Sequence, residues 1–517
     1  MKFSHSAWMV SAAFAAAAAL GSGCDGLGSQ EENVGAAERQ IIGLADPYPA
    51  DATMREREEL LQSSMKARRE MAWGVVAKIL APVKLKAQEI ELHEEGQTDA
   101  VEPTIARFET WYQKDELKRM FLELYKQHGK ENRQAKAPFS DVLLYGDAAA
   151  GKKGIFEWNA NYLAEKGLPE DIYRNRLTKI QEQTDINGLT GAESISYSPA
   201  LFMHLFKNYK AILDCLKPLH EGDSSTILDT VKPGDLPIDE AKNFTLCFNE
   251  EFPIDAAVTK AFWSNDVAQP KLPVFDTSAA ALTKRLTEED GGWGTGDRLA
   301  NPGPDKIHVA KLATGATFRL SGLHIITKEL RHWVWITLFW SDQPDSDFGA
   351  DRPDFIRELG GPWSNYKMAV VTGFEDKDPD PRAGNPTQGQ FDQALADAGL
   401  EPDAELTPEL ATMKNLVSLG DALQATYREG STWAANPYLE EGPRNARSNC
   451  IGCHQHAGTP IEPLTVLFDE GSFPKGGNAM VRKNFPADYL WVFDKKSRLA
   501  RIIQYEVETQ DRRDAQQ

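Results

Sequence analysis

The stretch RHWVWITLFW, residues 331–340, predicts a strand at the centre of a β-sheet. Its residues alternate between two sides, and both sides are largely apolar, as expected of a strand that is covered on both faces. Similar apolar stretches separated by turn residues lie at 307–312, 317–320, 324–327 and 366–372. This spacing predicts an antiparallel sandwich or barrel. We therefore expect a β-rich region at residues 236–436, with a helix at 410–427 near its end.

The chain has a different composition on either side of this region. Upstream, Glu, Lys, Arg and Leu are frequent, and apolar residues such as Leu117, Met120 and Phe121 recur at helical intervals. This pattern predicts a helical region at 53–235. The C-terminal segment, residues 437–517, is short for an independent core, so we expect it to pack on the β-rich region. The predicted fold class is α+β, with several domains.

One loop of the β-rich region is rich in carboxylates. Residues 342–353 contain Asp342, Asp345, Asp347 and Asp351. Their spacing is not that of an EF-hand calcium loop. The pattern favours a solvated turn with Asp caps over a calcium site.

The N-terminus has the organisation of an export signal. Met1-Lys2-Phe3 is followed by an apolar, alanine-rich run at 7–20 and by small residues up to Gly23. A basic start, an apolar stretch too short to span a bilayer and a small-residue exit are typical of a secretory signal, which we assign to residues 1–23. Residues 24–52 are small and polar, and they predict a tether.

The cysteine that follows this signal is a candidate for lipidation. Cys24 resembles the lipidated cysteine of bacterial lipoproteins, in which acyl chains hold a soluble body at a membrane. Gly21 departs from that pattern, which prefers a branched apolar residue there, so ordinary signal cleavage with a free thiol is the alternative. Of the five cysteines, Cys215 and Cys247 are candidates for a disulfide in an oxidising compartment, and their pairing is left open.

The C-terminal segment contains the pentapeptide CIGCH at residues 450–454. Two thiols at this spacing can add across the two vinyl groups of one porphyrin. The histidine that follows is then placed under the iron as an axial ligand. Cys450, Cys453 and His454 are therefore candidate heme-binding residues.

Three alternatives use the same residues. The first is a vicinal disulfide or a pair of plain surface cysteines. The second is a thioredoxin-like redox pair, which is disfavoured because no β-α-β pattern surrounds it. The third is a zinc site made by Cys450, Cys453, His454 and His456, but four ligands within seven residues leave little backbone to wrap a tetrahedron.

The segment NCIGCH, residues 449–454, resembles the attachment motif of the bacterial cytochrome c superfamily. The wider layout is similar to that of large single-heme cytochrome c domain proteins of Gram-negative bacteria, with an export signal, a helical region, a Trp-rich β region and a late C-x-x-C-H. The resemblance implies one covalently attached heme c, with Cys450 and Cys453 as thioether attachments and His454 as proximal metal ligand. It also implies electron transfer.

The surroundings of the motif depart from a small cytochrome c domain. Such a domain usually has a helix just before C-x-x-C-H and a closing helix at its C-terminus. Here residues 440–445 are not helix-like, and residues 489–493 and 500–505 predict a hairpin. An augmented heme segment, residues 437–517, is the expected result.

The ligand on the other side of the iron is left open. Met480 follows Cys453 by 27 residues, and a Met thioether suits electron transfer. His308, His324 and His332 of the β-rich region are alternatives, and so is an open distal position.

The charge balance restricts the partners. The chain has 57 basic and 77 acidic side chains, for a formal charge of −20. This balance disfavours nucleic acid as a partner. An acidic surface favours docking to a basic redox protein partner, or it only confers solubility.

The favoured function is an exported, lipid-anchored electron carrier with one heme, located in the periplasm or at the outer membrane. One alternative is a heme-dependent enzyme that has an open iron. Another is a binding or sensor protein in which the β-rich region recognises a substrate or partner. The pattern favours an electron-transfer protein over a catalyst, and it names no catalytic residue.

Overall fold

The fold is known from a computed structural model of the chain. The structure describes residues 59–61, 63–86, 104–113, 168–169, 191–198, 200–202, 204–205, 230–231, 252–266, 269–288, 291–311, 317–330, 332–372, 378–428, 431–432, 434–440, 450–458, 466, 468–469, 481–482, 485, 487–493, 512 and 515–516.

The described strands differ widely in length, and the long ones lie between residues 191 and 371. They are β1 (Pro82–Lys86), β2 (Thr104–Ala106), β3 (Tyr112–Gln113), β4 (Leu168–Pro169), β5 (Gly191–Tyr197), β6 (Thr230–Val231), β7 (Ala257–Asn265), β8 (Leu272–Val274), β9 (Arg298–Ala300), β10 (Val309–Lys311), β11 (Thr317–Thr327), β12 (Val334–Trp340), β13 (Tyr366–Val371), β14 (Tyr427–Arg428), β15 (Ser431–Thr432) and β16 (Val481–Arg482). The described α-helices are α1 (Met65–Leu80), α2 (Ala279–Thr287), α3 (Asp354–Glu358), α4 (Gln388–Asp397), α5 (Pro408–Thr426) and α6 (Cys450–His454). Short 3-10 turns lie at Arg107–Thr110, Asp347–Gly349, Gly361–Asn365 and Trp491–Phe493.

A seven-stranded antiparallel sheet organises these elements. Its strand order is β13-β12-β11-β7-β5-β3, and β10 pairs with the first residues of β11. All residues of β12 and β13 are buried. The strand predicted from residues 331–340 is therefore confirmed as a central strand that is covered on both sides.

The pairing register divides the sheet into two faces. His324 of β11 pairs with Thr337 of β12 and with Lys260 of β7, and Ile326 pairs with Trp335. Because side chains two residues apart on a strand share a face, these five residues lie on one side, which we call the Trp335 face.

The opposite side is called the Trp263 face. Ile325 pairs with Ile336 and with Thr259, which is four residues before Trp263 on β7. Tyr366 pairs with Trp340, which lies four residues after Ile336, so Tyr366 belongs to the same side. The sheet therefore separates the side chains around Trp335 from those around Trp263.

A short segment, residues 434–440, lies against the Trp335 face. The side-chain amide of Asn436 donates hydrogen bonds to Thr337 Oγ1 at 2.8 Å and to the Leu338 carbonyl at 2.7 Å. A Cβ added to Gly322 would lie 2.8 Å from Asn436 Oδ1, so the close approach requires glycine at that position of β11.

Helix α1 connects the two edges of the sheet. Ser64 caps its first turn by accepting from the Ala67 amide at 3.2 Å. Arg69 donates to the Met368 carbonyl of edge strand β13 at 2.7 Å, while the Ala81 carbonyl accepts from the Arg107 amide just before β3. A 16-residue helix has a length of about 24 Å, which is close to the width of a six-strand path at about 4.8 Å per step.

Several expectations from the sequence are wrong in detail. The described strands form the seven-stranded sheet, a three-stranded sheet of β2, β1 and β4, and three two-stranded pairs, where the sequence predicted a sandwich or barrel. The stretches 317–320 and 324–327 form one strand, β11. The predicted helical region, 53–235, contains α1 and also contributes β3 and β5 to the sheet, while Leu117, Met120 and Phe121, which carried the helical spacing, lie outside the described residues.

The predicted C-terminal hairpin is not found in its first half. Residues 491–493 form a 3-10 turn, and residues 500–505 lie outside the described part of the chain. The helix expected at 410–427 is confirmed, because α5 begins at Pro408 and ends at Thr426.

The aspartate loop differs from the expected solvated turn. Each of its four carboxylates pairs with a basic side chain, and the pairs are Asp342–Arg298, Asp345–Arg352, Asp347–Lys367 and Asp351–Arg69. Asp347 and Lys367 are both buried, and their ion pair measures 2.8 Å. The loop therefore ties the sheet to α1 through ion pairs.

Candidate functional site

The two cysteines of the C-x-x-C-H motif lie on one turn of helix. Helix α6 contains Cys450, Cys453 and His454, and neither thiol is part of a disulfide. Residues three apart on a helix lie on the same side, so both sulfurs face one direction. This geometry presents two thiols side by side, as an attachment to one planar group requires.

His454 is held by a backbone carbonyl. Its Nδ1 lies 2.9 Å from the carbonyl oxygen of Tyr489, so we assign the proton to Nδ1, which donates this hydrogen bond. The lone pair of Nε2 is then left for another partner. Histidines that bind metals show this arrangement, in which the second nitrogen donates to a carbonyl or a carboxylate.

Two tryptophan rings flank the imidazole. Trp335 of β12 lies 4.7 Å from the His454 ring centroid, and Trp491 lies 6.4 Å from it. These contacts place α6 on the Trp335 face of the sheet and form an apolar wall beside His454. The packing of the C-terminal segment on the β-rich region is thus observed for its described residues.

Burial sets the charge state of the motif. It lowers the pKa of His454 to about 4, an effect that the hydrogen bond to Tyr489 opposes and that the nearby His324 and Lys260 reinforce. Burial also raises the pKa of Cys453 to about 12 and that of Cys450 well above its ordinary value. At neutral pH the imidazole is therefore neutral, and both thiols are protonated.

The three side chains nevertheless keep partial exposure. A group that is desolvated by surrounding protein and still has accessible surface lies in a recess. Together with two parallel thiols and a neutral imidazole whose Nε2 is available, this setting fits a covalently attached heme. The fit rests on the donor set and its surroundings.

The carbonyl that orients His454 belongs to an unusual turn. Asp488 and Tyr489 have φ values of 43° and 68°, in the left-handed region that non-glycine residues rarely adopt. Lys328, directly after β11, donates to Asp488 Oδ2 at 2.9 Å, and both side chains are buried. A buried ion pair thus holds the turn that aims the Tyr489 carbonyl at His454.

The end of α6 is fixed from a second direction. The Gln455 amide donates to the Ile451 carbonyl at 3.0 Å, which continues the helix by one bond. Gln455 Oε1 accepts from the backbone amide of Arg482 at 2.8 Å, and Arg482 is part of β16. The motif is therefore fixed to two segments that follow it in the chain.

Ionisable side chains of the sheet and of residues 434–440 lie near the motif. His324 Nε2 lies 3.0 Å from Glu440 Oε1, within ion-pair distance but without the alignment of a hydrogen bond. Lys260, the cross-strand partner of His324, pairs with Glu193 at 2.8 Å. The charge of Glu440 contributes to the raised pKa of both cysteines, after burial as the largest cause.

The structure sorts the histidines proposed for the distal position. His308 contacts Trp263 and bonds to Glu109, so it lies on the other face of the sheet and is excluded. His332 Nδ1 lies 3.0 Å from the Tyr489 hydroxyl, beside the carbonyl that holds His454. His324 is the candidate on the Trp335 face next to the motif, and Met480 lies outside the described residues.

The zinc alternative receives no support from the geometry. Within the part of the chain that the structure describes, no three His, Cys, Asp or Glu side chains converge in an arrangement that could hold a metal ion. His456 is buried, and burial followed by the charge of Arg482 lowers its pKa to about 3.

Several functional neighbours of the motif were not predicted from the sequence. Trp335 was expected only as part of a buried strand. That it shares a sheet face with His324 follows from the register of β11 and β12, which the sequence does not give. Tyr489 acts through its carbonyl, which no side-chain pattern reveals. Lys328 and Asp488 are 160 residues apart in sequence, so only the fold brings them together.

The remaining predicted sites lie outside the described residues. They are Cys24, Cys215, Cys247, the export signal at 1–23 and the tether at 24–52. Among the described residues, no helix has the length and apolar character that a membrane crossing requires.

Comparison with known proteins gives no relative. No protein-family model matches the chain, and neither a curated protein nor a solved structure matches it. The chemistry of the site must therefore be argued from its own residues.

Proposed function

We propose that this protein is an exported c-type cytochrome that carries one covalently attached heme c and transfers electrons at the cell envelope. Cys450 and Cys453 would form the thioether bonds, and His454 would bind the iron. Residues 437–517 would form the heme segment, with the helical region and the β-rich region as its support.

The observation that carries the proposal is the hydrogen bond from His454 Nδ1 to the Tyr489 carbonyl at 2.9 Å. It fixes the tautomer in which Nε2 has a lone pair, and it fixes the ring plane between Trp335 and Trp491. A histidine held in this way is prepared to bind a metal before the metal arrives. The two free thiols on the same helical turn supply the attachment chemistry.

A bound heme would supply an iron that changes its oxidation state by one electron. The protein residues have separate tasks. Trp335 and Trp491 exclude water from the imidazole, Tyr489 orients it, and the Lys328–Asp488 pair holds Tyr489. A rigid, desolvated surround favours electron transfer because little reorganisation accompanies a change of charge.

The cellular setting is part of the proposal. The signal at 1–23 would direct export, and lipid on Cys24 would hold the protein in the periplasm or at the outer membrane. A redox protein with a basic surface would be the partner, because the chain carries a formal charge of −20.

A heme-dependent enzyme is the second candidate, and one observation favours it. The His324–Glu440 pair is a titratable couple that faces the attachment motif, and such couples move protons at reaction centres. In this case the distal position would be open to a small ligand.

Two optical spectra test both candidates. Protein from cells with a cytochrome maturation system is reduced and measured with and without carbon monoxide. An electron carrier with two axial ligands leaves the spectrum unchanged by carbon monoxide, whereas an open iron shifts it at once. Absence of covalent heme in such protein rejects both candidates.

A further inference from the structure

A second histidine, on the other face of the sheet, lies in a pocket that the proposed function does not use. His308 Nε2 lies 2.9 Å from Glu109 Oε2, and the same oxygen accepts from the Ala106 amide at 2.8 Å. Glu109 is buried. Because this oxygen already accepts from Ala106, we assign it as the acceptor and Nε2 of His308 as the N–H donor.

In the neutral imidazole with its proton on Nε2, Nδ1 of His308 is an acceptor. Within the described part of the chain, Nδ1 makes no hydrogen bond, and the His308 side chain lines a pocket of about 230 Å³. An acceptor that faces a pocket, with its tautomer fixed by a buried carboxylate, is a group that can hold a hydrogen-bond donor of a ligand.

The other described side chains that line the pocket are apolar, and polar atoms between them, largely of the backbone, supply the greater share of its exposed lining. Trp363 stacks on the His308 ring with the centroids 4.6 Å apart, and Trp263 contacts it at 5.9 Å. The other walls include Leu80, Ile105, Leu359 and Pro362. Among the residues that the structure describes, no Lys or Arg lines this pocket.

Two of the lining residues are glycines. Gly360 and Gly361 have φ values of 70° and 61°, and they turn the chain between α3 and Trp363. Residues with side chains adopt this conformation at a penalty, so the turn depends on glycine. These two positions line the pocket with backbone and no side chain.

We propose that this pocket binds a small, compact molecule that has an apolar face, one hydroxyl or amine donor and no negative charge. The apolar side chains contact the apolar face of the ligand, and His308 Nδ1 accepts from its donor. An acceptor nitrogen, with neither Lys nor Arg among the described lining residues, disfavours an anion. The site lies on the Trp263 face, so it goes beyond the proposed function and is independent of heme.

Three probes of similar size test this assignment on the full chain. Phenol has the ring and a donor, toluene has the ring alone, and benzoate has the ring and a negative charge. We expect saturable binding of phenol, about three- to tenfold weaker binding of toluene because one hydrogen bond is lost, and no binding of benzoate. Ligand-observed NMR and titration calorimetry measure all three.

Two matched variants locate the binding. Leu359→Trp fills the pocket and should abolish phenol binding, while Leu299→Trp makes the same change at a surface residue with 62% exposure and should leave it intact. Circular dichroism and thermal unfolding show that both variants fold. Glu109→Gln keeps an oxygen that accepts from both the Ala106 amide and His308 Nε2, so it should leave the preference for phenol over toluene intact.

The proposal is overturned if phenol does not bind saturably, if toluene binds as tightly as phenol, or if benzoate binds best. It is also overturned if Leu359→Trp folds and binds phenol like the parent protein. None of these results bears on heme attachment, so the two proposals fail separately.

Discussion

His454 and His308 lie on opposite faces of one sheet and are held in parallel ways. Each ring lies between two tryptophans, Trp335 and Trp491 for His454, and Trp363 and Trp263 for His308. Each donates one hydrogen bond of 2.9 Å to an oxygen. They differ in the oxygen and in the nitrogen that donates.

That difference decides what each histidine can do. His454 donates through Nδ1 to a neutral carbonyl, which leaves Nε2, the less crowded nitrogen, to bind a metal. His308 donates through Nε2 to a carboxylate, so Nδ1 remains to accept a hydrogen bond inside a small pocket. Two similar settings thus predict two chemistries, and the partner atom distinguishes them.

The largest effect is expected from removing the two thiols proposed to bind heme near His454. In the double variant Cys450→Ala/Cys453→Ala, no covalent heme should remain, because no thiol is left to form a thioether bond. Heme staining of denatured protein measures this. His308→Phe is the matched control on the other face and should retain full staining; covalent heme in the double variant would refute the assignment.

A smaller effect is expected from breaking the buried ion pair between Lys328 and Asp488, which holds the turn next to His454. Lys328→Met leaves Asp488 buried without its ion-pair partner, and it should destabilise the protein by about 3–5 kcal/mol in chemical denaturation. If the variant still folds, the heme potential should also shift, because the Tyr489 carbonyl is no longer held. Lys328→Arg should recover much of both losses.

Removing the partner of His308 on the Trp263 face should lower the stability of the protein without changing the heme potential. Glu109→Leu leaves the His308 Nε2 proton buried without its acceptor, which should destabilise the protein by about 1–3 kcal/mol. The heme spectrum and potential should remain those of the parent protein. A change in potential of the size seen in Lys328→Met would show that the two faces are coupled and would break the comparison.

The smallest effect is expected from Tyr489→Phe. The variant loses the hydroxyl contact to His332 and should be less stable by about 0.5–1.5 kcal/mol. It keeps the backbone carbonyl that accepts from His454, so the potential should not change. A large shift in potential with little loss of stability would mean that the hydroxyl, not the carbonyl, controls the site.

Local patterns in the sequence were sufficient for some parts of the fold. The apolar alternation at 331–340 predicted a buried central strand, and β12 is that strand. A helix was predicted at 410–427, and α5 is observed at Pro408–Thr426. Both signals are local, because a strand buried on two sides and a helix each produce a recognisable pattern of apolar residues within a short stretch of sequence.

Non-local features were beyond the sequence. Strand β5 pairs with β7 from within a region whose composition is helical, and pairing across more than 60 residues leaves no local mark. The aspartate loop was expected in water, yet Asp347 meets Lys367 in the interior. At the candidate site, the pentapeptide was visible, but the Tyr489 carbonyl, its strained turn and the Lys328–Asp488 pair depend on the fold.

The account depends most on whether heme is bonded to Cys450 and Cys453. The direct measurement is the intact mass of the denatured, full-length protein, purified from cells with a cytochrome maturation system, with digestion to locate the adduct. The account predicts a mass increase of one heme, located on the peptide that contains residues 450–454. An unmodified chain under these conditions, or an adduct elsewhere, would contradict it.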